Sequence, residues 1–169
     1  MRSIILAAAA LLVSFSAQAN PDLVGVWSYE GTHLTAVSWE TGEEFDRVTP
    51  AANPRMFIFT ESGYYSQLGI TGDEQRPLRS ESGEGAMGGP KLSSEQRLAE
   101  YRPLISEMGT YEVDGNMLNM RPLIDKVPDY MQGDGLGDSQ AEFSIDGDVM
   151  SFIRTTEAAT IRDTYRRVD

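Results

Sequence analysis

The sequence predicts an all-β fold, an antiparallel up-and-down barrel of about eight strands with one short inserted helix. Short segments of alternating apolar and polar residues follow one another along the chain, and turn residues separate them. Two of the turns, Asp114-Gly115 and Asp146-Gly147, lie between alternating segments. Asp-Gly favours a two-residue hairpin turn, because both turn positions need positive φ. A closed barrel of about eight strands has room for side chains or for one small ligand.

The predicted strands are short and are bounded by turn residues. We expect them over residues 24–29, 33–39, 55–59, 64–68, 111–113, 117–120, 141–145, 149–154 and 160–168. Their aromatic and β-branched content favours strand structure. Residues 122–138 are rich in Asp, Gly and Pro and are predicted to form a long loop.

One helix is expected in the middle of the chain. Ser93 can accept hydrogen bonds from the free amides of a helix start, and Glu95 suits the first turn of a helix. Pro103 limits the helix to a few turns. The preceding Gly-rich residues 79–92 cannot bury enough apolar surface to order themselves, so they are predicted to be a flexible loop.

The N-terminal segment predicts export. Arg2 precedes an apolar run over Ile4–Val13, and Ala17-Gln18-Ala19 has the small-x-small pattern that signal peptidase recognises. The run is shorter than the roughly 20 apolar residues of a membrane span. We therefore expect a signal peptide over 1–19, a single domain over 20–169, and a periplasmic or secreted protein without a membrane span.

Composition excludes some partners and some chemistry. The formal net charge is −12, and such an acidic surface repels nucleic acid and anionic lipid. The chain has no cysteine, so neither disulfides nor thiolate chemistry is available. We expect a monomer or weak dimer that binds no nucleic acid.

A candidate ligand site follows from strand alternation. Six side chains are expected to point into the barrel as an aromatic wall with a few polar groups: Trp39, Tyr65, Gln67, Tyr111, Asn119 and Arg121. A filled core is the equally weighted alternative. Inside a barrel mouth, Arg121 would need an anion from the protein or from a ligand. A register shift of one residue would exchange Arg121 with Met120.

Metal and catalytic signals are weak. His33 is the only histidine, so the sequence predicts neither a multi-histidine metal site nor a Ser-His-Asp triad. Asp125, Asp129 and the Gly-Asp loop 134–139 could supply oxygen ligands to calcium, but they lack the EF-hand spacing. Gly and Asp are also common in loops because both suit turns. We predict no catalytic residue, no metal and no cofactor.

Several short motifs align with one family. They are Leu23-Val24-Gly25-Val26-Trp27, Phe57–Tyr65, Glu95–Tyr101 before Gly109–Val113, and Thr164–Val168. In these motifs the chain resembles the bacterial and fungal lipocalin-like domain family. The resemblance implies a calycin-like barrel with a helix inserted mid-chain, and a small apolar or amphipathic ligand. Independently, we expect Trp27 to close one end of the barrel, with Arg166 or Arg167 over its indole face.

The leading hypothesis is a protein that binds a small hydrophobic or amphipathic molecule in the barrel without a cofactor. A first alternative is a cofactor-free isomerase, cyclase or hydratase, with Arg121, Asn119 and a buried Glu112 as base. A second alternative is a protein-interaction module that uses residues 79–92 and the helix after them. The balance favours a binding protein over an enzyme.

Overall fold

The computed structural model describes residues 20–72, 92–133, 135 and 137–168. The predicted signal peptide and residues 79–91 of the predicted loop lie outside this part of the chain. The described strands are β1 (Gly25–Val37), β2 (Glu44–Pro50), β3 (Arg55–Phe59), β4 (Tyr64–Ile70), β5 (Leu104–Asp114), β6 (Met117–Asp125), β7 (Ser139–Asp146), β8 (Val149–Thr155) and β9 (Ala159–Arg167). One α-helix, α1 (Ser94–Tyr101), and a 3₁₀ helix (Pro128–Met131) complete the described elements.

The strands form a closed antiparallel barrel in which, apart from β2 and β3, strands that are neighbours in the chain are also neighbours in the sheet. One edge of β1 pairs with β9 through Trp27–Ala36, which closes the ring. The other edge pairs first with β3 through Gly25–Ser28 and then with β2 through Gly31–Val37. Strands β2 and β3 therefore lie one after the other along the same edge of β1 and together count as one strand position of the barrel. The ring has eight members, which confirms the predicted fold and its single short helix.

Strand β1 merges two predicted strands into one. The register shifts between Tyr29 and Gly31, so a bulge carries the strand through the expected break. Gly31 is required there, because its φ is +153° and a Cβ would lie 2.6 Å from the Thr49 oxygen. Strand β2 was not predicted, since all its residues are exposed and no apolar alternation marks it.

The two compact hairpins form where the Asp-Gly pairs predicted them, with the turns one residue later. Asp114 pairs with Met117 and Asp146 pairs with Val149. The two-residue loops therefore begin at glycine, and Gly115 has φ of 60°.

One end of the barrel is packed solid around Trp27. The indole is fully buried, and its Nε1 donates to the Leu23 carbonyl at 2.8 Å. The Arg167 Cζ lies 4.2 Å from the ring centroid, and Arg167 Nη1 donates to the Val24 carbonyl at 2.7 Å. Arg166 points outward to Glu30, so Arg167 is the arginine that covers Trp27. The aromatic core next to this plug consists of Phe57, Phe59, Tyr65, Tyr111, Phe152 and Tyr165.

The helix begins and ends as its sequence predicts. Ser93 Oγ accepts from the Gln96 amide at 3.1 Å, and Gln96 Oε1 accepts from the Ser93 amide at 2.9 Å. This reciprocal capping box satisfies two amides at the helix start. No residue of α1 is buried, and Leu98 and Tyr101 are each half exposed. None of the helices in the described ranges is long and apolar enough to cross a membrane.

Candidate functional site

The inner face of the barrel changes from aromatic to polar along its axis. Alternation places Arg55 two residues before the buried Phe57 on β3, and Gln67 two residues after the buried Tyr65 on β4. Because neighbouring strands run antiparallel, both polar side chains lie at the same end, opposite the Trp27 plug. Five strands contribute to this polar ring, which consists of Arg55, Gln67, Glu107, Arg154 and Asp163.

The polar ring encloses a cavity of about 190 Å³, here called the inner cavity. Phe57 and Phe152 form its aromatic floor, and their rings meet edge to face at 5.4 Å. Beside it lies a second pocket of about 520 Å³, here called the vestibule, which Tyr29 and Arg47 help to line. Arg55 lines both spaces, so its guanidinium stands between the vestibule and the inner cavity.

Arg55 is held by an amide and two aromatic rings. With the Gln67 amide assigned from this network, its oxygen accepts from Arg55 Nη2 at 2.6 Å and from Nε at 2.5 Å. The Arg55 Cζ lies 5.0 Å from the centroid of the Tyr29 ring and 5.7 Å from that of Tyr165. Among the described residues, no carboxylate oxygen lies within 4.0 Å of this guanidinium.

On β9, which flanks β1 on the side away from β3, the polar ring holds a fully paired carboxylate. Asp163 is 4% exposed and accepts from Arg154 Nη2 at 2.6 Å and from Thr32 Oγ1 at 2.5 Å. Thr32 in turn lies 2.5 Å from the Tyr29 hydroxyl. Both the charge and the lone pairs of Asp163 are therefore satisfied within the protein, as a buried carboxylate requires.

Glu107 and Tyr65 form the third part of the ring. The Tyr65 hydroxyl donates to Glu107 Oε1. Burial raises the pKa of the Glu107 carboxyl; the hydrogen bond from Tyr65 opposes this rise, the Asp125 charge adds to it and Arg55 opposes it. Burial also raises the pKa of Tyr65, and the bond to Glu107 raises it further. The tyrosine keeps its proton, and Glu107 protonates more readily than an exposed glutamate.

Tyr165 is the unsatisfied group of the site. Its side chain is fully buried, and its hydroxyl has no hydrogen-bond partner within the described residues. Burial raises the pKa of Tyr165, and the nearest charges are those of Arg55, Asp163 and Arg154, which all line the inner cavity. An unpaired buried hydroxyl costs about 1–3 kcal/mol of stability, and here that cost falls in the packed core, because Tyr165 is not among the described residues that line the inner cavity.

Three of the six predicted site residues point inward. Tyr65 and Gln67 are buried on the inner face. Gln67 is a member of the polar ring, and Tyr65 contacts the ring through its hydrogen bond to Glu107. Tyr111 is also buried, but its hydroxyl donates to the Thr60 carbonyl at 2.8 Å in the packed half of the barrel. Its place is therefore in the core rather than beside the inner cavity.

The inward prediction is wrong for Trp39, Asn119 and Arg121. Trp39 is 91% exposed, because β1 already ends at Val37. On β6 the buried residues are Leu118 and Met120, so alternation places Asn119 and Arg121 on the outer surface. There they line a groove of about 350 Å³ outside the barrel.

Two further expectations can be compared with the structure. Glu112 is exposed on the outer face of β5, which removes it as a buried catalytic base. Among the residues that the structure describes, no three His, Cys, Asp or Glu side chains are placed to hold a metal ion. Asp134 and Leu136 of the proposed calcium loop lie outside that part of the chain. His33 is exposed, with its Nε2 lying 3.3 Å from Asp46 Oδ1.

The charged members of the polar ring were missed in the sequence. Arg55, Arg154 and Asp163 each lie two residues from a buried aromatic residue on the same strand. Extending the alternating inward pattern of each strand by two residues from the aromatic residue would have predicted all three side chains to point inward. The expectation that arginines and carboxylates face water argued against that reading.

Fold and site together define a small antiparallel β-barrel that is plugged at one end and carries a charged, partly open cavity at the other. No family model matches the chain, and no curated protein matches it. Among solved structures it is similar to an uncharacterized protein from Bacteroides eggerthii DSM 20697, with 10% sequence identity and a TM-score of 0.41. The similarity covers 86% of this chain and 98% of that chain. This TM-score is too low to support an inference, so the fold assignment depends on the strand register of this chain.

Proposed function

We propose that the protein binds a small amphipathic molecule at the open end of its barrel, with its apolar part on the aromatic floor and its polar part at the ring. The observation that carries this proposal is the inner cavity itself, in which the charged side chains of the polar ring lie above the aromatic floor of Phe57 and Phe152. The lipocalin-like resemblance implies a ligand of the same kind. The predicted signal peptide would place this binding in the periplasm or outside the cell.

The packing supports a small ligand rather than a long apolar one. The rings of Phe57, Phe59 and Tyr65 fill the barrel below the floor, with Phe57 and Phe59 stacked at 5.3 Å. An extended acyl chain would have to displace this core. The charged groups around the inner cavity also require polar partners, which a purely hydrophobic ligand lacks.

Native mass spectrometry tests the proposal directly. The protein is purified from its own envelope fraction, and its native spectrum is compared with the spectrum after denaturing extraction. A released molecule of defined mass supports carriage and identifies the ligand. A bare protein that also binds no member of a small-molecule library would contradict it.

A pair of variants links that ligand to the barrel. Ala141 is buried and lines the inner cavity, so Ala141→Leu reduces the available volume. Ala99 is exposed on α1, and Ala99→Leu is the matched control. We expect Ala141→Leu to lose the ligand while its circular dichroism stays that of a folded barrel, and Ala99→Leu to keep it. Equal ligand content in both variants would place the binding site elsewhere.

Glu107 favours a second candidate function, cofactor-free proton transfer on the bound molecule. Its carboxyl lines the inner cavity, and burial raises its pKa toward the range of a general acid or base. Glu107 would take the role that was expected of Glu112. With the ligand identified, Glu107→Gln should bind it and fail to convert it. Equal conversion by the wild type and the variant would remove this candidate.

A further inference from the structure

We infer that the ligand is a small organic carboxylate, and that Arg55 binds its anionic group at the boundary between the vestibule and the inner cavity. This inference rests on the proposed function and narrows it to one chemical class. Four features of the site carry it: the charge of the vestibule, the lack of a direct ion pair for Arg55 among the described residues, the free edge of its guanidinium and the apolar floor.

The vestibule is basic in a strongly acidic protein. The chain carries a formal net charge of −12, yet the described lining of the vestibule includes Arg47 and Arg55 and no Asp or Glu. Within the described ranges, the one hydrogen bond of the Arg47 side chain goes to Thr49 Oγ1, at 3.4 Å. A pocket lined by one sign of charge attracts a ligand of the other sign, so the entrance favours an anion.

The two arginines of the inner cavity differ in their partners. Arg154 is paired, because its Nη2 lies 2.6 Å from the buried Asp163 carboxylate. Arg55 is half-buried, and no described carboxylate oxygen lies within 4.0 Å of it. A guanidinium withdrawn from water requires a compensating anion. The charge of Arg55 acts on the nearby Glu107 carboxyl, but the described residues give its guanidinium no direct ion pair, so Arg55 is the arginine of the cavity that can bind a ligand carboxylate directly.

The geometry of Arg55 suits a carboxylate. The side-chain oxygen of Gln67 accepts hydrogen bonds from Nε and from one Nη2 proton of Arg55. The opposite edge, with Nη1 and the second Nη2 proton, has no acceptor among the described residues. Two parallel N–H donors on one guanidinium edge match the two oxygens of a carboxylate. The Tyr165 ring, whose centroid lies 5.7 Å from Arg55 Cζ, helps to hold the guanidinium in this orientation.

The surroundings favour one negative charge and an apolar body. Glu107 and Asp163 also line the inner cavity, so their charges would repel a dianion such as phosphate more strongly than a singly charged carboxylate. Phe57, Phe152 and Met120 offer apolar contact for a ring or a short alkyl chain. Together these features describe a small aromatic or aliphatic carboxylic acid.

Isothermal titration with matched pairs tests the inference. The probes are benzoate against benzamide, phenylacetate against phenylacetamide, and hexanoate against hexanamide, all at neutral pH. In the wild type we expect at least one carboxylate to bind about tenfold more tightly than its amide, the size expected for one charge-assisted hydrogen bond. Arg55→Met should remove this preference. Arg162→Met, on the outer face of β9, is the matched control and should retain it.

The possible results separate the inference from the proposed function. Equal binding of carboxylate and amide would overturn the inference and leave amphipathic binding in place. Inorganic phosphate displacing the carboxylate at comparable concentration would also overturn it. Failure of every probe to bind would count against the proposed function and the inference alike. If Arg55→Met does not fold, the test uses the wild-type protein at increasing salt concentration. Added salt should weaken carboxylate binding and leave amide binding unchanged. An equal effect of salt on both probes would contradict the inference.

Discussion

The guanidinium of Arg167 lies 4.2 Å from the centroid of the Trp27 ring and covers the plugged end of the barrel. The two residues pair across β1 and β9, the strands that close the ring. The contact therefore stabilises the closure of the barrel at the end opposite the polar ring. This contact lies away from the inner cavity, so its loss should lower stability without changing ligand binding.

Arg167→Met should lower the free energy of unfolding by about 2 kcal/mol, because it removes a buried cation–π contact and hydrogen bonds to two carbonyl groups. Arg166→Met is the matched control, since its pair with Glu30 is solvent-exposed and should contribute little to stability. Urea unfolding followed by tryptophan fluorescence measures both. Equal losses in the two variants would contradict the structural role of Arg167.

Tyr165→Phe should make the ligand-free protein more stable, by about 1 kcal/mol, because it removes a buried hydroxyl without a described partner. Tyr111→Phe is the control with the opposite sign, since that hydroxyl donates to the Thr60 carbonyl. Thermal unfolding of both variants is the measurement. A loss of stability in Tyr165→Phe would show that the hydroxyl is already satisfied.

Asp163→Ala should lower the free energy of unfolding by about 2 kcal/mol, because Arg154 and Thr32 both lose their buried acceptor. Arg154 is half exposed, so water can partly replace the lost partner. Asp46→Ala, an exposed carboxylate on β2, should cost less than about 1 kcal/mol. Urea unfolding at neutral pH compares the two, and similar losses would contradict the prediction.

Glu107 should make stability depend on pH. Its pKa is raised in the folded protein, so the native state binds the proton more tightly than the unfolded chain does. The contribution to stability is full below the unfolded pKa of about 4.3 and is lost as pH rises through the folded pKa. Tyr65, Asp125 and Arg55 face this carboxyl and set the midpoint.

Unfolding curves between acidic and neutral pH test this dependence. Glu107→Gln should gain stability relative to the wild type as pH rises, because the variant has no carboxylate to ionise. Glu112→Gln, on the exposed face of the same strand, should run parallel to the wild type. Parallel curves for Glu107→Gln would mean that its carboxyl ionises normally in the folded state.

Local features of the fold were predictable because few residues determine them. The hairpins follow from glycine at the turns, and α1 follows from the Ser93 cap and the limit at Pro103. Trp27 could be placed at the plug because a large apolar ring near a chain end has few other places in a small barrel. Strand β2 escaped prediction, since it pairs with β1 without burying an apolar face.

The candidate site was less predictable because each of its contacts joins distant parts of the chain. Thr32 and Asp163 are 131 residues apart in sequence and hydrogen-bond only when β1 and β9 close the barrel. On β6, one step of register decides whether Arg121 or Met120 faces the interior. No property of either residue alone sets that register.

The sequence by itself determined the barrel class, most of the strands, the two compact hairpins, the helix and the plugged end, because those depend on alternation and on residues close together in the chain. Only the tertiary structure decided which charges meet inside the barrel, since closure sets the register of all strands at once. It paired Arg154 with Asp163 and left Arg55 with no carboxylate oxygen of the described residues within 4.0 Å. The proposed ligand class follows from that difference.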